Sequence, residues 1–312
     1  MKSLYLTFIL ILTFGYTTAH PGIGIVYDGN ETVYFTDLSH VWKINVSTGV
    51  KEIALENIHT HELFLDEKGT LYGEHYWYVA NEQKFKNYIW CLTKSGHFRK
   101  IRSDQYGENT DFGFVRDASF ASYEIHQKKG SYHIVKKDSS GKTLLYSQTL
   151  KKPTWKYLTK NNQLLFVDYP KIYSFENQEL KEIVTNISSS RFPFSIQGDD
   201  HNIYGIWQDK VENFYVAIYG GREVKKIDQN GTVSRVLKTD FFWSPINGVF
   251  DNEQNLWLME SSLNGTVRIR KIPKTELTNE ASFLLENITI AAFLLSVFGF
   301  TFYLIKRKRN RK

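Results

Sequence analysis

The sequence predicts an all-β fold, a six-bladed β-propeller, on three observations. From residue 22 to about residue 273 helical periodicity is absent, and Tyr, Trp, Phe, Val and Ile crowd into short runs between polar turns containing Gly or Asn. A strand, an Asp-containing turn and a second strand recur with an aromatic residue six positions after the Asp. Hairpins with small polar turns follow, their glycines about 45 residues apart, the length of one four-stranded blade.

The first half of the unit reads Ile25-Val26-Tyr27-Asp28 to Thr32-Val33-Tyr34-Phe35, Leu63-Phe64-Leu65-Asp66 to Thr70-Leu71-Tyr72, and Gly248-Val249-Phe250-Asp251 to Asn255-Leu256-Trp257-Leu258. Looser copies run through Tyr157-Leu158 to Leu164-Leu165-Phe166 and through Ser195-Ile196 to Asn202-Ile203-Tyr204. In the second half, Val41 to Ile44 turns at Ser47-Thr48-Gly49, Ile89 to Leu92 at Lys94-Ser95-Gly96, Ile134-Val135 at Ser139-Ser140-Gly141, and Val224 to Ile227 at Gln229-Asn230-Gly231. Gly suits the positive-φ position of such hairpins. A fifth hairpin, Ile172 to Phe175 with Asn177-Gln178, lacks the Gly. Six units result, residues 22–56, 57–104, 105–151, 152–188, 189–239 and 240–273, the third least regular and the last short of an outer strand. A lone blade cannot bury both faces, so the blades must close into a ring. A β-sandwich is the alternative, which the repeat period disfavours.

The two ends predict compartment. Residues 4–14 are apolar, follow Lys2, and are too short to span about 30 Å of hydrocarbon. They run into Thr17-Thr18-Ala19, so residues 1–19 read as a signal peptide cleaved before His20, with an uncleaved anchor as the alternative. Residues 288–305 carry no ionisable group and stop at six basic residues within 306–312, the pattern of one transmembrane helix with a basic cytoplasmic tail. Residues 20–273 then form the ectodomain and 274–287 a short tether, holding the propeller near the bilayer. The tail is expected to touch anionic lipid headgroups.

The formal charge of +6 resides in the ends: Lys2 and the tail account for all of it, and the folded part is near neutral. A nucleic-acid footprint is therefore not expected. Cys91 is the single cysteine, so no internal disulfide can form. With the Lys-, Asn-, Ile- and Phe-rich composition, this points to the periplasmic side of a bacterial inner membrane. Asn-x-Ser/Thr sequons at Asn30, Asn45, Asn186, Asn230, Asn264 and Asn287 point the other way if taken literally, although Asn230-Gly-Thr and Asn264-Gly-Thr read better as turns.

The run from His20 to Asp28, followed by Thr32 to Asp37 and Lys43 to Gly49, resembles the opening blade of the gluconolactonase/SMP-30 family. Asn247-Gly-Val-Phe-Asp251 with Asn255-Leu-Trp-Leu-Met-Glu260 resembles the NGxxxD and NLW blade signature shared with NHL-like propellers. The resemblance covers most of the ectodomain and implies one divalent cation at the channel mouth, held by a Glu of the opening motif with Asn and Asp from later blades. This chain has Ile23 at the Glu position, which removes a negative charge from a site for a hard cation.

In a propeller, loops before the innermost strands surround the channel. The matching ligand-binding candidates are His59, His61 and Glu62, then Arg116 and Asp117, then Trp155 and Asn247. His61, Glu62, Asp117 and Asn247 could hold a metal, with calcium or zinc as the cofactor, or act as acid and base. The run Glu74-His75-Tyr76-Trp77-Tyr78 leaves the second strand of blade two for a loop over residues 80–87, an aromatic face able to stack on sugar rings or a partner protein. Phe241-Phe242-Trp243 could do the same, and packing between blades is the competing use of both clusters. No GxSxG elbow or GxxxxGK[ST] loop is present. The expected function is a binding module for a ligand, glycan or envelope protein. The alternative is a divalent-metal-dependent lactonase-like hydrolase with a rearranged site, and Ile23 favours binding over catalysis.

Overall fold

In the computed structural model, which describes residues 22–101, 105–107, 121–128, 130–138, 140–148, 153, 155–159, 163–176, 179–188, 203–240, 242–262 and 264–277, the repeat folds as a series of antiparallel sheets. The first holds β1 (Ile25–Tyr27), β2 (Thr32–Thr36), β3 (His40–Asn45) and β4 (Lys51–Glu56) in sequence order. The second holds β5 (Leu63–Leu65), β6 (Leu71–Val79), β7 (Lys84–Leu92) and β8 (Phe98–Lys100), with β9 (Gln105–Gly107) also paired to β7. The third is β10 (Ser122–Lys128), β11 (Ser131–Asp138) and β12 (Gly141–Gln148). The fourth is β13 (Trp155–Leu158), β14 (Leu164–Asp168), β15 (Lys171–Glu176) and β16 (Glu179–Val184). The fifth is β17 (Ile203–Gln208), β18 (Phe214–Ile218), β19 (Glu223–Ile227) and β20 (Val233–Lys238). The sixth is β21 (Trp243–Phe250), β22 (Leu256–Ser262) and β23 (Val267–Ile272). These are the six blades of a propeller, and no α-helix occurs among the described residues.

Local chemistry explains the Asp repeat. Asp28 Oδ1 accepts hydrogen bonds from the amides of Asn30, Glu31 and Thr32, each at 2.9 Å. Asp66 Oδ1 takes Lys68 and Thr70, and Asp251 Oδ1 takes Asn255. The second carboxylate oxygen then receives the aromatic six residues on: Tyr72 Oη at 3.0 Å from Asp66 and Trp257 Nε1 at 3.0 Å from Asp251. Asp209 makes a further copy, binding the amides of Val211 and Asn213 and the hydroxyl of Tyr215. The fifth unit is thereby re-registered. Ile203-Tyr204, expected in its second strand, opens its first, β17, whose residues are buried almost throughout and so lack an alternating pattern, and Asn202 lies outside the described residues. Residues 105–107 likewise belong to the second sheet, through Phe85↔Gly107 and Asn87↔Gln105, and not to the third unit.

Apolar clusters fill the clefts between blades. Val41 and Ile58 pack with Leu71, Trp90 and Leu92 between blades one and two, and Leu165 and Ile172 with Ile206 and Val216 between four and five. Each fully buried Leu, Ile or Phe contributes about 1.5–3 kcal/mol. The ring closes where Tyr204 of blade five and Ile246, Trp257 and Met259 of blade six meet Ile23, Ile25, Val33 and Phe35 of blade one. Asn247 Nδ2 donates to Ile23 O at 2.7 Å and Asn252 Nδ2 to Gly29 O at 3.0 Å across the same joint.

Residues 1–21 and 278–312, which include both apolar terminal runs, lie outside the described residues. Among the described residues no helix is long and apolar enough to cross a membrane. Thr275–Lys312 is a compact unit of its own, of which residues 275–277 are described.

Candidate functional site

The loop joining blade one to blade two is fixed residue by residue. Ile58 N donates to Ser39 O, His59 N to His75 Nδ1 at 2.9 Å, and Tyr76 N to His59 O at 3.0 Å. Thr60, fully buried, accepts Thr36 Oγ1 on its carbonyl at 2.9 Å and donates its own hydroxyl to Glu74 O. Ile23 N donates to His61 O at 2.8 Å. Gly24 belongs to this arrangement, because a Cβ there would stand 2.9 Å from the Leu63 backbone nitrogen and 3.0 Å from the Glu62 carbonyl carbon.

These clamps bring His59 and His61 face to edge, with Nε2 to Nε2 at 3.1 Å and ring planes at 71°. Burial lowers the pKa of His59, and a hydrogen bond to the Leu38 backbone works in the opposite direction. His75 Nδ1 accepts an amide, so the proton of the neutral ring sits on Nε2. Tyr76 lies edge-on to His61, ring centroids 6.4 Å apart, and donates its hydroxyl to Glu74 Oε2 at 2.5 Å. A His-His-Tyr-Glu group therefore lines the head of blade two.

Asn247 enters differently. It sits beside a bulge in β21, donates to Ile23 O and accepts the Gly248 amide at 2.9 Å. The main chain of Ile23 is thus gripped by His61 on one side and Asn247 on the other, while its side chain packs in the apolar cluster of the closing joint. Glu62 is half-buried just before β5, and Trp155 opens β13 opposite Val167. Arg116 and Asp117 lie outside the described residues. No group of three or more His, Cys, Asp or Glu among the described residues is placed to hold a metal ion.

The aromatic run is strand, not loop. Residues 71–79 and 84–92 pair continuously from Leu71↔Leu92 to Val79↔Lys84, leaving residues 80–83 as the turn, because cross-strand aromatic pairs sustain the ladder. On one side of this ribbon His75 lies 5.2 Å from Trp77 and 5.0 Å from Tyr88, and Lys100 Nζ stands 4.0 Å from the Tyr88 ring centroid. On the other side Tyr76 is buried, whereas Tyr78 and Phe85 form an exposed pair, 53% and 41% accessible, with centroids 5.1 Å apart.

A second polar cluster, not anticipated from the sequence, sits on blade six. Glu260, fully buried, accepts Arg268 Nε at 2.8 Å and Arg270 Nη2 at 3.0 Å. Arg268 also reaches Asp240 at 2.5 Å and lies 4.1 Å from the Trp243 ring centroid. The alternation Arg268, Arg270 along β23, opposite Glu260 in β22, is the signal that could have revealed it. Of the neighbouring aromatics, Phe242 is exposed and Phe241 lies outside the described residues.

No protein-family profile matches the chain, and no curated protein matches it in sequence. Solved structures match in fold. A gluconolactonase from Xanthomonas campestris is 12% identical, with 83% of this chain and 88% of that chain covered at a TM-score of 0.52. An auxiliary nutrient binding protein from Bacteroides thetaiotaomicron is 10% identical, with 80% and 68% covered at 0.54. Regucalcin of Agrobacterium tumefaciens, a calcium-binding protein, is 10% identical, with 77% and 81% covered at 0.46. The class is that of six-bladed β-propellers resembling the gluconolactonase/SMP-30 group. At these identities the likeness defines the fold alone.

Proposed function

We propose that this protein is a binding module, anchored by a single membrane span with its propeller outside the cytoplasm, on the periplasmic side of a bacterial inner membrane. It captures a glycan or envelope protein on the aromatic ribbon of blade two. The observation that carries this reading is the exposed Tyr78–Phe85 pair at the ribbon tip, with the His75, Trp77 and Tyr88 rings on the opposite face of the same ribbon. Aromatic faces held on a paired ladder offer contact area at little entropic cost, and sugar rings or apolar side chains stack on them. The apolar run at residues 288–305 with its basic flank supports the anchor, and the tail's charge suits anionic lipid. Binding is favoured over a lactonase-like hydrolase because Ile23 puts hydrocarbon at the position of the family's Glu and Asn247 is engaged in closing the ring. Nutrient binding is a use described for one structure of this fold.

The test uses the full-length chain in detergent. Tyr78→Ala with Phe85→Ala should leave the circular dichroism spectrum unchanged and weaken retention on immobilised peptidoglycan fragments or envelope protein by about tenfold or more. Retention equal to the wild type by the folded variant refutes the assignment of this face. Protease added outside spheroplasts should digest the propeller and spare the basic tail.

A further inference from the structure

The inter-blade loop holds its two histidines more rigidly than a solvated turn requires. We propose that His59 and His61 form a two-histidine site for a divalent transition-metal ion, zinc or copper, bound through their Nε2 atoms. At a zinc–nitrogen distance of about 2.0–2.1 Å, two ligand nitrogens on a tetrahedral ion stand about 3.3 Å apart. Here they are 3.1 Å apart.

A direct N–H···N hydrogen bond also fits that separation, so the ring positions decide. A collinear hydrogen bond of this length would place the ring centroids about 5.4 Å apart. With their nitrogens 3.1 Å apart, two imidazoles converging on one ion at about 2.05 Å from each nitrogen bring the centroids to about 4.8 Å. The observed separation is 4.9 Å, with the planes at 71°.

The surroundings match what a metal-binding imidazole needs. Both rings turn Nε2 toward each other, the nitrogen through which a neutral imidazole can bind a metal. The backbone at His59, Thr60 and His61 is bonded to blade one or blade two at each residue, so little orientation is left to lose on binding. Imidazole nitrogen selects zinc, copper or nickel over calcium and magnesium, which require oxygen. With two protein ligands among the described residues, the ion keeps open positions for water or an anionic group of an incoming molecule. This site goes beyond the aromatic ribbon, and its occupancy is read without any captured ligand, so the two ideas fail separately.

The full-length protein in detergent, stripped with a chelator, is titrated with zinc by calorimetry. One ion per chain is expected, with affinity lowered about tenfold or more by His59→Gln or His61→Gln and unchanged by His97→Gln on an exposed turn. Should the first two variants fail to fold, pulsed electron paramagnetic resonance of the copper-loaded wild type replaces them, and coupling to the remote nitrogens of two imidazoles is expected. No zinc uptake, uptake indifferent to both substitutions, or a copper signal without two imidazoles overturns the proposal and leaves a hydrogen-bonded pair.

Discussion

Closure of the ring rests in part on one amide, and Asn247→Asp tests it. The substitution keeps the size of the side chain and its acceptor for the Gly248 amide, but replaces the donor to Ile23 O with a carboxylate oxygen facing a carbonyl. Losing that bond removes about 0.5–1.5 kcal/mol, and leaving the Ile23 carbonyl unsatisfied adds about 1–3 kcal/mol. Taken together, a loss of about 2–4 kcal/mol is expected at pH 7, or about 4–8 °C in Tm for a domain of this size. The pH dependence has a definite sign. Facing a carbonyl, the introduced carboxyl has its folded-state pKa raised above its unfolded value of about 3.9. Protonation supplies an O–H donor that restores the bond, so the deficit is full at neutral pH and shrinks as pH falls through the folded pKa. Melting of the full-length wild type and variant in detergent, followed by circular dichroism at pH 7 and pH 4.5, reads both effects. Equal melting temperatures at pH 7 would show that Asn247 does not donate to Ile23 and that the joint is held by apolar packing alone.

Trp257→Phe keeps the ring but removes the indole donor to Asp251 at 3.0 Å, and should cost about 1–2 kcal/mol in the same melting assay. The hydrogen bond from Arg268 holds the Asp240 carboxyl below the usual carboxylate range against the opposing effect of burial. Its contribution is therefore present above the unfolded pKa of about 3.9 and lost as pH falls through the lower folded value, so Asp240→Asn should flatten the acid limb of the stability profile. Because the Asp240 side chain is 61% accessible, high salt should shrink that difference. Cys91 is buried at 1% accessibility, and its thiol should resist alkylation in the native protein and react at the rate of unfolding when urea is added.

Much of the architecture was legible because the repeat is written in side-chain chemistry. An Asp that caps its own turn and an aromatic that returns to its second oxygen impose a six-residue spacing, visible at Asp66 with Tyr72 and at Asp251 with Trp257. The copy at Asp209 and Tyr215 escaped because the preceding strand is buried on both faces and shows no alternation. The sequence places a loop at residues 80–87 where strand pairing in fact continues to Val79↔Lys84, because that pairing depends on the cross-strand partners Tyr78 and Phe85, seven residues apart, whose register no local pattern states. His59 and His61 could be named from the sequence, yet their distance could not, since it is set by partners as remote as Ile23, Thr36 and Glu74. The pairing of the buried Glu260 with Arg268 and Arg270 depends on cross-strand register and burial, which the sequence does not state.

The nine-residue strands β6 and β7 exceed the five- and six-residue second and third strands of blades one, four and five. At about 3.3 Å per residue, the surplus lifts the turn at residues 80–83 roughly 10 Å beyond the heads of those blades. The exposed rings of Tyr78 and Phe85 ride on that projection, clear of the turns of blades one, four and five.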